Sequence, residues 1–250
     1  LAGTSTGGIL AASYAAPSDE DPTKPKFNAD EVAGFYPKYG AQIFSRSTSH
    51  AIWTAGGVLG PKYDGTAIDK IFGPMMEGKT LKDTVVPVCL TSWCLKHRCV
   101  HLLESGKYSE VVHEYLKGLV TSSSEDIPIL TAVKATTAAP TYFPTVKSGD
   151  HNLADGGVVS VNPSLIAGLQ ALKAHPEQDV IVLSIGTGRH DAPAVSYEES
   201  SKWGIAQWLE TLIGTLFETN MLMTNVTMRL LEADDRFHYI RINVNLPPEL

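Results

Sequence analysis

The sequence predicts an α/β fold in which helices alternate with the strands of a largely parallel sheet. Three observations carry that reading. Residues 179–185 (D-V-I-V-L-S-I) form an almost unbroken apolar run of strand length, as expected of a parallel strand buried on both faces, and Gly186-Thr187-Gly188 breaks it. Residues 85–95 are rich in β-branched and apolar side chains and read as a second strand, with residues 100–104 as its hairpin partner. Segments of helical period lie around and between these runs, and such alternation belongs to layered α/β folds.

Composition sets the outer bounds. A chain of 250 residues fits one large domain, taken here as 1–250, and is ample for a buried core. With 43% hydrophobic and 19% charged residues and a mean hydropathy of -0.02, it is globular in composition, not disordered. The net charge is -7, and its Lys and Arg residues are scattered, which excludes the basic footprint of a nucleic-acid binder. Attraction to an anionic membrane is weak for the same reason, so any lipid contact must be mainly apolar. No apolar stretch reaches the roughly 18 residues of a membrane-spanning helix. Three cysteines, Cys89, Cys94 and Cys99, cannot all pair, and no C-x-x-C is present. They read as reduced thiols, with neither a zinc site nor a disulfide framework.

In chain order, the first element is a turn. Gly3-Thr4-Ser5-Thr6-Gly7 has the G-x-S-x-G spacing of a nucleophile elbow. There a serine sits on a strained strand-to-helix turn, and the flanking glycines admit backbone that a Cβ would strike. Residues 8–16 follow as a small-residue helix stopped by Pro17, with its first N–H groups aimed at the turn, where they can hold an anion. Only Leu1 and Ala2 represent the preceding strand, and a chain that opens inside an elbow without an initiator methionine reads as a fragment.

Residues 18–25 are a polar connection. Asn28 caps a helix from Ala29 towards Gly40, with Pro37 as a kink. Residues 43–60 read as loop and hold Trp53 and Gly56-Gly57. Asp64 or Thr66 caps a short helix through Phe72, ended by Gly73-Pro74. Beyond the hairpin, residues 108–120 and 129–139 read as helices. Asp155-Gly156-Gly157 follows a polar turn. Asn162-Pro163 starts a helix to Ala174. Residues 200–232 give one or two long helices, and the alternating residues 237–244 a final strand.

Several of these stretches together resemble one family. Gly3-Thr4-Ser5-Thr6-Gly7-Gly8, Gly60-Pro61-Lys62-Tyr63-Asp64-Gly65, Ala138-Ala139-Pro140-Thr141-Tyr142-Phe143-Pro144, Asp155-Gly156-Gly157 and Ser184-Ile185-Gly186-Thr187-Gly188 occur in the order seen in patatin-like phospholipases. The resemblance spans the chain from Gly3 to Gly188. It implies a three-layer α/β/α fold with a mostly parallel central sheet. It also implies a Ser–Asp dyad, with Ser5 as nucleophile and Asp155 as base, in a phospholipase A-type lipid acyl hydrolase. The substrate would be a phospholipid or other glycerolipid, with transient membrane-surface contact, a cytoplasmic or peripheral-membrane location and no nucleic acid. No protein partner is specified. No cofactor or metal is implied, and calcium dependence would count against a Ser–Asp dyad.

The chemistry is coherent on its own terms. A neutral serine hydroxyl needs a positioned base. A free aspartate, with a pKa of about 3.9, is a weak one until burial raises its basicity. The backbone N–H of Thr6, just after the nucleophile, is an oxyanion donor by elbow geometry. The family's other donors come from a glycine-rich D-G-G-G loop before the elbow, which this sequence does not contain. Tyr142 and Phe143 are expected to line an acyl pocket. Residues 202–223 present a wide apolar face that includes Trp208 and Leu212, readable as core packing or as a pocket wall or membrane-contacting surface.

Two other classes stay open. A Ser-His-Asp esterase would use Asp155 with His175, His190 or His238. A storage or interaction protein of the same fold would have little turnover. Gly186-Thr187-Gly188 lacks the third glycine of a dinucleotide fingerprint, since Asp191 stands in its place, and reads as a strand-end turn.

Overall fold

The computed structural model describes residues 1–45, 60–106, 118–123, 126–189 and 195–247. Trp53, Gly56-Gly57, most of the helix expected over 108–120, His190, Asp191 and Pro193 lie outside the described residues. The chain falls into two compact units, Leu1–Pro163 and Ser164–Leu250.

The first unit begins with a two-residue strand, β1 (Ala2–Gly3), and turns at Ser5 into α1 (Thr6–Ala15). Small side chains let α1 sit deep in the fold: Gly8, Ala11, Ala12 and Ala15 are all buried. Its extended C-cap at Ala16 precedes Pro17, whose ring disfavours helix at the residue before it. Asn28 caps the next helix through a full capping box with Glu31. The single helix expected from Ala29 is in fact two, α2 (Ala29–Ala33) and α3 (Phe35–Ile43), parted at Gly34 and not at Pro37. Pro37 falls in the first turn of α3, where its missing N–H costs no hydrogen bond.

Asp64 accepts from both the N–H and the hydroxyl of Thr66 at the start of α4 (Thr66–Met76). This helix runs through Gly73-Pro74 instead of ending there. Pro74 removes one backbone bond, and the buried Phe72 and Met76 hold the last turn by packing.

After a 3₁₀ turn at Leu81–Asp83, the other described helices and strands of this unit are β2 (Cys89–Cys94), β3 (Cys99–Glu104), β4 (Val120–Ser123), α5 (Ile129–Thr136), β5 (Val146–Ser148) and β6 (His151–Asp155). A 3₁₀ turn follows at Gly156–Val158. Val120 therefore opens a strand where a helix was expected. The sheet order is β4-β3-β2-β6-β5, with β1 also paired to β2. β1–β2 and β3–β4 are parallel, whereas β2–β3, β2–β6 and β5–β6 are antiparallel.

The class is α/β, as expected, but the sheet is mixed and not mostly parallel. The reason is connection length. The turn at 95–98 and the Gly149-Asp150 hairpin are too short for the crossover a parallel pair needs. Leu90, Leu103 and Leu153 share one face of the sheet and join a core with Ile9, Phe72 and Ile129 from the helices.

β3 occupies one edge of β2 along its whole length. β1 and β6 therefore share the other edge end to end. Gly3 pairs with Leu90, and Asp155 pairs with Ser92. β1 runs parallel to β2 and β6 runs against it, so both strands finish beside Thr91. A Cβ at Gly156 would come to 2.1 Å from Thr91 Oγ1 and 2.3 Å from Thr91 O, an approach only glycine permits.

The second unit holds α6 (Ser164–Ala174), β7 (Val180–Ile185), α7 (Tyr197–Ser200), α8 (Ile205–Leu231) and β8 (Phe237–Ile242). β7 and β8 pair in parallel, from Val180 opposite Phe237 to Ile185 opposite Ile242. Val180, Met228, Phe237 and Tyr239 form its core. β7 is parallel as expected but buried on one face only: Ile181, Leu183 and Ile185 are exposed, whereas Val180 and Ser184 are not. No helix among the described residues is long and apolar enough to cross a membrane.

Overpacking at the Thr91 junction gives a direct check. Gly156→Ala is expected to destabilise the protein by about 1–3 kcal/mol, lowering the urea midpoint at unchanged m-value. An unchanged midpoint would mean that the close approach is not enforced.

Candidate active site

Ser5 sits where β1 passes into α1, with φ 53 and ψ -124. A positive φ is costly for a residue with a side chain and persists only where the surroundings fix it. They do so on both sides. A Cβ at Gly3 would lie 2.3 Å from Gly7 O, and one at Gly8 would lie 2.6 Å from the Thr136 methyl, whereas one at Gly7 would meet nothing within 4 Å; the steric need expected of the second motif glycine falls on its neighbour Gly8 instead. The Ser5 N–H donates to Thr136 Oγ1 at 3.0 Å, and the Ser5 carbonyl accepts from the N–H of Gly8 at 2.8 Å.

Ser5 occupies the N-cap position of α1, yet its hydroxyl makes no cap bond. It donates instead to Asp155 Oδ2 at 2.6 Å. Asp155 Oδ1 accepts from the N–H of Gly157 at 2.6 Å, and the Asp155 N–H donates to Ala138 O at 2.9 Å. The carboxylate is therefore held at both oxygens and through its backbone. It is 4% exposed. Burial raises its pKa, and the bonds from Ser5 and Gly157 pull the other way.

Below the pair, hydroxyls lock the junction. Thr4 Oγ1 donates to Ser160 O at 2.7 Å and also meets Thr91 Oγ1 at 2.7 Å. A hydroxyl has one proton, so Thr91 donates to Thr4. Above it, the Tyr36 hydroxyl donates to Thr6 O, and burial holds its pKa up at about 12.

A cavity of about 230 Å³ opens at Ser5 and Thr6. Its walls are apolar, with Ile9, Ile43, Phe44, Ile68 and Phe143 among them. Two of the sequence motifs shape one side. The Lys62 N–H donates to Thr141 O at 2.8 Å and the Tyr63 N–H to Tyr142 O at 2.7 Å, so the loop at 60–65 is sewn to the loop at 138–144. The Tyr63 ring packs on those of Tyr142 and Phe143.

Of the residues singled out from sequence, Ser5, Thr6, Asp155, Tyr142 and Phe143 thus come together. Trp208 and Leu212 lie on α8 of the second unit, 49% and 41% exposed. Among the described residues, the core of this unit draws on the far end of the helix, at Met228 and Leu231, while Trp208 meets the Trp203 ring edge-on at 5.4 Å. Gly186-Thr187-Gly188 follows β7 and is itself neither helix nor strand, with the Gly188 N–H donating to Asn243 Oδ1 at 3.0 Å. The direct Ser5–Asp155 bond leaves no room for an imidazole between them.

Sequence reading did not find Thr4, Thr91, Thr136 or Tyr36. Thr4 lies inside the elbow motif and was readable as part of it. The others reach the site only through folding, and nothing local marks them. No group of His, Cys, Asp and Glu with metal-ligand spacing surrounds Ser5 among the described residues.

The model of the patatin-like phospholipase family matches residues 1–167. Patatin-like protein 2 of Oryza sativa subsp. indica is 31% identical over 237 residues, covering 84% of this chain and 55% of the relative. Patatin-like protein 2 of Arabidopsis thaliana is 30% identical over 235 residues, covering 84% and 54%. Probable inactive patatin-3-Kuras 1 of Solanum tuberosum is 26% identical over 271 residues, covering 98% and 67%. The chain thus spans about half the length of the first two relatives.

The buried carboxylate has a stability signature. The folded state keeps a proton on Asp155 at pH values where the unfolded chain, near 3.8, has lost it. Stability conferred at this residue therefore falls as pH rises from about 3.8 through the raised folded value. Asp155→Asn removes the buried charge. It is expected to be more stable than the parent near neutral pH, with the gap closing below the ordinary aspartate range. Thermal melts of both proteins across pH test this, and a gap independent of pH would sink it.

Proposed function

The chain belongs to the patatin-like phospholipase family, and from that premise we propose that it is a lipid acyl hydrolase of phospholipase A type, with residues 1–250 forming one catalytic domain. The observation that carries the reading is the 2.6 Å bond to a buried Asp155 from the Oγ of Ser5, a residue that lines an apolar cavity.

In the proposed reaction, Asp155 takes the Ser5 proton as Oγ attacks the ester carbonyl. The tetrahedral intermediate collapses, and the alcohol, a lysophospholipid or other glycerol derivative, leaves with that proton. A water molecule then gives a proton to Asp155 and attacks the acyl-enzyme. The fatty acid departs and Ser5 recovers its proton. Gly157 supports the base by holding Oδ1, which leaves Oδ2 to face the nucleophile.

The oxyanion would be met by the Thr6 N–H at the first position of α1. Ser5 N–H is already committed to Thr136, and α1 carries no acidic residue of its own in its first turn. The acyl chain would lie along Ile9, Ile43 and Phe143, with Tyr142 at the side. The exposed apolar stretch of α8 around Trp208 and Leu212 is the surface suited to transient lipid contact.

The test is fatty-acid release from mixed phospholipid vesicles in chelator-containing buffer. The parent is expected to turn over, with an acid limb above the ordinary aspartate value. Asp155→Asn is expected to lose at least about 10²-fold in kcat, and Ser5→Ala to lose all acyl-enzyme turnover. If all three folded proteins are equally inert on phospholipid, galactolipid and short esters, the enzyme reading gives way to a storage or interaction role. If Asp155→Asn stays active while a histidine substitution does not, it gives way to a Ser-His-Asp esterase.

A further inference from the structure

At the end of β6 away from Asp155, side chains gather that the proposed hydrolysis does not use. Cys94 closes β2, His97 stands in the turn after it, and His151 opens β6. β6 pairs with this end of β2, with Leu153 opposite Cys94. Cys94 Sγ and His151 Nδ1 lie 3.7 Å apart, and the His97 and His151 ring centroids 5.1 Å apart. One donor atom from each of the three residues lies within 4.8 Å of the other two.

The 3.7 Å separation is within the reach of a hydrogen bond to sulfur. It is also close to what a shared ion would impose. A tetrahedral zinc, with Zn–S near 2.3 Å and Zn–N near 2.0–2.1 Å, holds sulfur and nitrogen about 3.5 Å apart. We infer that Cys94, His97 and His151 form a binding site for one borderline-soft divalent cation of the zinc type.

Thiolate and imidazole donors select such an ion over calcium or magnesium, which take oxygen. The carboxylate of Asp150 stands beside His97, with Oδ2 3.3 Å from Nε2, in the outer position that commonly orients a ligating histidine. Cys99 and His101 are close but otherwise engaged: Cys99 Sγ lies 3.4 Å and His101 Nδ1 2.7 Å from Thr121 Oγ1. Binding converts the Cys94 thiol to thiolate and releases its proton to solvent, so affinity rises with pH. The ion would fasten the end of β2 to the start of β6, about 13 Å along that strand from Asp155. Its role is to hold the strand that carries the proposed base.

The absence of a C-x-x-C pair gives no zinc expectation from sequence. The local half of the site is instead Cys94-Leu95-Lys96-His97, and the third ligand arrives only through the β2–β6 ladder.

Cobalt(II) titration of the metal-free, full-length protein tests the site, with zinc as competitor. The parent is expected to bind one equivalent, with thiolate-to-cobalt charge transfer and tetrahedral d–d absorption that zinc abolishes. Cys94→Ser is expected to lose the charge-transfer band. His97→Ala changes an exposed turn residue that no core packing needs, and is expected to weaken binding by at least about 100-fold. Cys99→Ser and Ser5→Ala are expected to bind as the parent does. Absence of thiolate-to-cobalt absorption in the parent, or full affinity in both Cys94→Ser and His97→Ala, overturns the site.

Discussion

The structure of the first unit depends on one constraint: β1 and β6 must end beside the same residue, Thr91. Ser5 and Asp155 lie 150 positions apart, and neither is directed at the other by local sequence. They meet because two strands share one edge of β2 from opposite directions, stopping at Leu90 and Ser92. Thr91 fills the gap between the two strand ends. Its hydroxyl is tied to Thr4, and its backbone lies against Gly156 so closely that no side chain fits. Loss of either strand ending would separate the pair by whole residues, not by fractions of an ångström.

That junction explains how an unfavourable arrangement survives. A serine at φ 53 and a nearly buried carboxylate each cost stability. The serine's strain is offset by the bond from its N–H to the Thr136 hydroxyl, by the bond from the Gly8 N–H to its carbonyl, and by the packing of the buried small residues of α1. The carboxylate is offset by two short charge-assisted bonds, from Ser5 and Gly157. Local rules are broken where chemistry is proposed. An N-cap serine ordinarily serves its own helix, but here the hydroxyl is diverted to Asp155 and the helix start goes uncapped. The uncapped N–H groups are the feature an oxyanion would use.

Much of this was legible in the sequence, and the reasons differ by element. The elbow, α1 and its stop at Pro17 follow from glycine spacing, small residues and proline, all local signals. The Asn28 cap and the β2–β3 hairpin were readable for the same reason. β5 and β6 were not. They are short and partly polar, and their periodicity is too brief to register, although Gly149-Asp150 between them is a hairpin signal. Missing them led to the expectation of a mostly parallel sheet. The continuation of α4 past Gly73-Pro74 was likewise hidden, because burial of Met76 outweighs the local stop signal. For the site, sequence resemblance supplied Ser5 and Asp155, whereas Thr91, Thr136 and Tyr36 became visible only once the sheet had brought distant segments together.

The same geometry bears on why a carboxylate could serve directly as base. An aspartate in water is too weak a base to help a serine hydroxyl much. Two remedies exist: insert an imidazole, or make the carboxylate more basic. Here no imidazole stands between the two: 2.6 Å separates Ser5 Oγ from Asp155 Oδ2, and both residues are anchored by backbone bonds. The second is built in, since burial raises the pKa of Asp155. The bond from Gly157 limits that rise and fixes which oxygen faces the serine. Position is thus set by the close seating of Gly156 against Thr91, and basicity by burial. The glycine after the aspartate, Gly156, is consequently as much a part of the arrangement as the aspartate itself.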